Sequence, residues 1–127
     1  MREILFRGKR ADNGEWVEGN LFIPDCPDKP TEICIGSNVV RITYEVVPTT
    51  IGQFTGLTDK NGTKIFEGDI LKNEKGTIYS GSYNCEVVFD SGMFFAEGFV
   101  TFSPNEFKLC EVIGNIHDNP ELLEAKE

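Results

Sequence analysis

The chain has 127 residues, 39% of them hydrophobic and 26% charged, with a formal charge of -9 and an isoelectric point near 4.6. That length supports one domain with a self-sufficient core, and no stretch approaches the ~20 consecutive apolar residues of a membrane-spanning helix. The acidity argues against a general phosphate binder, because nucleic-acid affinity rests largely on Lys and Arg displacing counterions.

The opening Met1-Arg2-Glu3-Ile4-Leu5-Phe6-Arg7-Gly8-Lys9-Arg10 is interrupted by charge every few residues and lacks the apolar centre of a secretory signal, which predicts a cytoplasmic protein. Residues 3–10 and 15–23 alternate around Asp12-Asn13-Gly14, a hairpin whose turn needs the positive φ that Asn and Gly tolerate. Pro24, Pro27 and Pro30 prevent a ladder from continuing, so a loop follows. Residues 32–35 and 39–47 then flank Gly36-Ser37-Asn38 as a second hairpin, which Pro48 closes. The run from Ile51 to Thr58, the turn Asp59-Lys60-Asn61-Gly62 and the run from Ile65 to Lys72 predict a third, with a type I′ turn. Residues 76–79, 84–90, 93–102 and 107–113 complete the strands, broken at Ser91-Gly92 and Ser103-Pro104-Asn105. At the end, Asn119 as cap, Pro120 in the first helical position and Glu121 beside the positive helix end predict a short helix to about residue 125. The expected fold is mostly β and hairpin-rich: a single domain over residues 1–127, divisible into packed lobes 1–47 and 48–127, with a short C-terminal helix.

The residue types that carry chemistry do not converge. Cys26, Cys34, Cys85 and Cys110 contain no C-x-x-C pair, which argues against zinc, and the last three sit among strand-forming residues as small hydrophobes. His117 is the single histidine, so every triad or His-metal arrangement would have to pass through it, and it lies in a turn before the terminal helix. No serine occupies a G-x-S-x-G elbow, and no Gly-rich phosphate motif is present. Asp59, Asn61 and Gly62 have the wrong spacing for a calcium loop, which has oxygen ligands at positions 1, 3 and 5 and Gly at 6, whereas Gly here falls at position 4. No catalytic residue, cofactor or metal is therefore assigned. The 21 acidic residues are scattered through turns, where solvation accounts for them.

Two segments remain as candidate surfaces. Arg2, Arg7, Lys9 and Arg10 against Glu3 give the first ten residues a net +3 and leave -12 elsewhere. They form either a phosphate-contacting strand or a charged sheet edge that pairs with acidic surroundings. Phe94, Phe95, Phe99 and Phe102 include neighbours that must point to opposite faces of a strand, so some rings face away from one core. The second face is covered by the other lobe, by another subunit or by a partner.

Three segments together resemble the YopX family of small phage and prophage proteins, found mainly in Gram-positive bacteria. They are Ile4-Leu5-Phe6-Arg7-Gly8-Lys9 with Asn13-Gly14-Glu15-Trp16-Val17, the centre from Ile51 to Gly62 with Ile65-Phe66-Glu67-Gly68-Asp69-Ile70-Leu71, and the close from Glu111 to Leu123. Residues 24–46 and 73–107 match poorly. The resemblance implies a mostly β, phage-encoded protein and carries over no activity. In the centre, Gly68 permits a bend that sends Phe66 and Ile70 into the core, while Asp69 accepts hydrogen bonds from turn amides, as in small SH3-like barrels.

The resulting expectation is a non-enzymatic phage accessory protein inside the bacterial cell. It acts through an unknown protein partner, and any homo-oligomer forms through residues 93–102. The alternative is weak nucleic-acid binding through the basic first strand.

Overall fold

A computed structural model describes residues 4–36, 41–73, 83–97 and 103–123. Among them lie ten strands: β1 (Phe6–Lys9), β2 (Trp16–Phe22), β3 (Glu32–Gly36), β4 (Arg41–Glu45), β5 (Gly52–Thr58), β6 (Lys64–Phe66), β7 (Asp69–Asn73), β8 (Tyr83–Asp90), β9 (Met93–Glu97) and β10 (Glu111–Asn115). The fold is mostly β, as the period-two patterning requires. The chain folds as two compact units, Met1–Phe54 and Thr55–Glu127.

In the first unit the strand order is β4-β3-β2-β1-β5, every pairing antiparallel. The sheet curls. Val46, just past β4, bridges back to Arg10, Val47 N donates to Lys9 O at 2.9 Å, and Ala11 N donates to Glu45 O at 2.9 Å. Ile33 of β3 and Val46, just past β4, are buried in this unit, whereas Ile35 and Ile42 are exposed.

β5 runs on into the second unit, where β6 is its neighbour. The predicted 65–72 strand is divided: Gly68 takes φ 94° and separates β6 from β7, while Phe66 and Ile70 on either side are buried. A four-stranded antiparallel sheet follows in the order β10-β7-β8-β9. One of its faces buries Leu71, Cys85, Val87 and Ala96 against Ile65, Phe107 and Cys110. The predicted strand 76–79 and residues 98–102 lie outside the described residues.

Three local expectations change. Residues 107–113 are not one strand: Pro104–Leu109 is a 3₁₀ helix and β10 begins at Glu111. Glu106 Oε1 accepts from Ser103 N at 2.9 Å and from Ser103 Oγ at 3.3 Å, so a Ser-x-x-Glu start with Pro in the first helical position overrides the strand propensity of Phe107. The terminal helix is a 3₁₀ turn over Pro120–Leu123, and the Asn119 side chain turns back to accept from Asn115 N at 3.3 Å. The Asp59–Gly62 turn is not type I′. Gly62 has φ 84° but Asn61 does not share the left-handed region. Gly62 N donates to Asp59 O at 3.0 Å and Asp59 N to Thr63 O at 2.9 Å, the pattern of a tight turn with a glycine bulge. The two-residue loop with positive φ at both positions is Ser91-Gly92, at 55° and 85°, between the paired Asp90 and Met93.

Candidate interaction surface

The period of two along β1 decides which of the basic residues meet. Arg7 and Lys9 share one face, and the register pairs Lys9 with Trp16 of β2 and Arg7 with Glu18. Arg7 Cζ lies 4.7 Å and Lys9 Nζ 5.7 Å from the Trp16 ring centroid, so two cations flank one indole. Arg10 has the other parity. Its Cζ lies 4.3 Å over Tyr44, and its Nε and Nη2 donate to the two Asp12 carboxylate oxygens at 3.0 and 2.7 Å. The hydrogen bond to Asp12 raises the Arg10 pKa, and the same bond lowers that of Asp12. The structure therefore brings together Arg7 and Lys9 of the four predicted phosphate contacts and turns Arg10 to an internal acid. Arg2 lies outside the described residues.

The aromatic segment divides as its parity requires. Phe94 pairs across the ladder with Phe89, ring centroids 4.8 Å apart at 59°, on the face that also carries Val87 and Ala96. Phe95 is opposite Val88 on the other face, and both Phe94 and Phe95 are half-buried. Asn84 Nδ2, on the face of Phe95, donates to Leu122 O at 2.9 Å, which ties the C-terminal 3₁₀ turn to that side of β8. Phe89 remains 51% exposed beside the Ser91-Gly92 turn. Phe99 and Phe102 lie outside the described residues.

Two buried carboxylates work within the fold. Asp59 Oδ1 accepts from Asn61 N and Thr63 N, and Oδ2 from Val112 N, at 2.8 to 2.9 Å. Burial pushes the Asp59 pKa up, but these three backbone donors more than offset it and hold the group below its ordinary value. Asp69 Oδ2 accepts from Phe66 N at 2.7 Å, the turn-amide bond expected at the Glu67-Gly68 bend. Glu86 and Glu97 stand opposite each other on β8 and β9. Burial first, then Glu97 and Glu67, raises the Glu86 pKa. Among the described residues no group of His, Cys, Asp and Glu is arranged to hold a metal ion.

Asn115 organises the turn around His117, its Oδ1 accepting from His117 N and Asp118 N at 2.9 Å. All four cysteines are free thiols, Cys85 and Cys110 buried. Burial, then proximity to Cys85, pushes the Cys110 thiol up to about 11, which keeps it protonated and inert at neutral pH. No helix among the described residues is long and apolar enough to cross a membrane.

The family described as YopX protein matches residues 5–124. The chain belongs to the YopX family. A solved structure, protein EF1440 from Enterococcus faecalis, is similar to it with 29% identity, a TM-score of 0.63, and coverage of 98% of this chain and 100% of that one. No curated protein matches. Neither the YopX family description nor that neighbour's title names a reaction.

Proposed function

We propose that this YopX-family chain is a phage-type accessory protein that acts inside the bacterial cell through protein contacts rather than by catalysis. The observation that carries the reading is the end of the β8–β9 hairpin, where a two-residue turn presents the half-exposed Phe89 packed at a tilt against Phe94. An exposed aromatic ring on a tight hairpin supplies contact area at little cost in conformational entropy, which suits a protein partner. The aromatic segment with Phe94, Phe95, Phe99 and Phe102 remains the proposed interface.

Nucleic-acid binding through β1 is the reading it has to exclude, and the pair Arg7 and Lys9 around Trp16 is what favours that rival. Two cations neutralise about two phosphates, so the log-log salt slope on duplex DNA is about -2, and the acidic remainder of the chain repels the same polyanion. Titration of labelled single-stranded and duplex DNA by anisotropy should give dissociation constants weaker than about 10⁻⁵ M at physiological salt. Sub-micromolar binding that disappears in Arg7→Ala/Lys9→Ala would replace the protein-contact reading with a phosphate-contact one.

A further inference from the structure

Two Asn-Gly pairs stand in turns, Asn13-Gly14 and Asn61-Gly62, and all four residues are exposed. An asparagine before glycine is open to attack on its own side chain, because the glycine nitrogen has no adjacent Cβ to obstruct closure of a cyclic imide. The space around both glycines is open, and a Cβ built at Gly14 or Gly62 would meet nothing within 4 Å. The two nitrogens are restrained alike, Gly14 N donating to Arg10 O and Gly62 N to Asp59 O, each at 3.0 Å.

The side chains differ. Asn13 Oδ1 accepts from Glu15 N at 2.9 Å, which holds its carboxamide toward residue 15. The Asn61 carboxamide makes no hydrogen bond among the described residues, and only the backbone N of Asn61 is bound, to Asp59 Oδ1 at 2.8 Å. Asn61 Cγ can therefore swing onto Gly62 N whenever the Gly62–Asp59 bond opens, whereas Asn13 must also give up its bond to Glu15. The position matters to the fold, because Asn61 N and Thr63 N both have to reach Asp59 Oδ1.

We infer that Asn61 is a site of spontaneous deamidation whose products loosen the Asp59 turn. Gly62 N gives its proton to solvent base and attacks Asn61 Cγ, the Cγ–Nδ2 bond breaks, and ammonia leaves after taking a proton from water. Water then opens the imide. Hydrolysis at Cγ leaves aspartate, and hydrolysis at the former backbone carbonyl leaves isoaspartate, with the main chain running through the old side chain. The net change is amide plus water to acid plus ammonia, with no oxidation or reduction. Isoaspartate inserts an extra carbon between the two donors to Asp59 Oδ1, and either product adds a negative charge to the turn that holds the buried Asp59 carboxylate.

The test is peptide mapping by mass spectrometry of the full chain incubated at mildly alkaline pH, with electron-transfer fragmentation to separate isoaspartate from aspartate. The reference is the rate at each site in urea, where local sequence acts alone. Relative to that reference, folding should slow Asn61 several-fold less than Asn13, and isoaspartate should be among the products at position 61. The urea midpoint of wild type should fall during incubation and that of Asn13→Gln should fall with it, while Asn61→Gln keeps its own. Equal slowing at the two sites, greater slowing at Asn61, or an aged wild type with the midpoint of fresh protein would overturn the inference.

Discussion

Replacing Asp59 with Ala should destabilise the second unit by about 3 kcal/mol, measured by urea unfolding at neutral pH. The side chain is 5% exposed and satisfies three backbone N–H groups, two in its own turn and one on β10. Ala leaves all three without their acceptor, and the tie from the β5–β6 turn to Val112 is lost. The group's pKa is depressed on folding, so the stability it contributes is present above its ordinary value of 3.8 and is lost as pH falls through the folded pKa. Asp59→Asn keeps one acceptor oxygen and loses the titration. The gap in stability between wild type and Asp59→Asn should therefore close as the solution is acidified below that value, and a constant gap would remove the carboxylate from this role.

Phe107→Ala should cost about 3–5 kcal/mol, the range of large-to-small changes at a sealed aromatic site. Phe107 is fully buried in the core formed by Ile65, Leu71, Cys85, Val87 and Ala96. The 3₁₀ helix that inserts it is set by the Ser103–Glu106 start, so Glu106→Ala should give a smaller loss of about 1 kcal/mol in the same unfolding experiment. Equal losses for the two would mean that the helix, rather than the ring, holds this corner together.

The two hairpins of the first unit and the β5–β6 hairpin were legible because alternation and turn residues are local signals. The parity of Arg7, Lys9 and Arg10 was equally readable and already divides the basic strand into two faces. Turn type was less so. Asn-Gly at 61–62 carries the composition of a type I′ loop, yet the Asp59 side chain collects the turn amides and draws the chain into a different geometry, while the inconspicuous Ser91-Gly92 takes the type I′ form. The Ser103-x-x-Glu106 start was present in the sequence, and strand propensity at Phe107 obscured it. Two contacts carry no local trace at all: Val112 with Asp59, and Asn84 with Leu122. Each depends on a register between segments far apart in the chain, and register follows from the assembled core rather than from either segment.

The proposed interface of this YopX-family protein is the hairpin end carrying Phe89 and Phe94. The measurement that tests it most directly is capture from nuclease-treated lysates of induced lysogens, quantified for three baits: wild type, Phe89→Ser, and Arg7→Ala/Lys9→Ala. The expected result is a protein that binds wild type and the basic-strand variant equally, is lost with Phe89→Ser, and binds wild type again as a purified component in titration. A partner that is retained by Phe89→Ser and lost with Arg7→Ala/Lys9→Ala would contradict it.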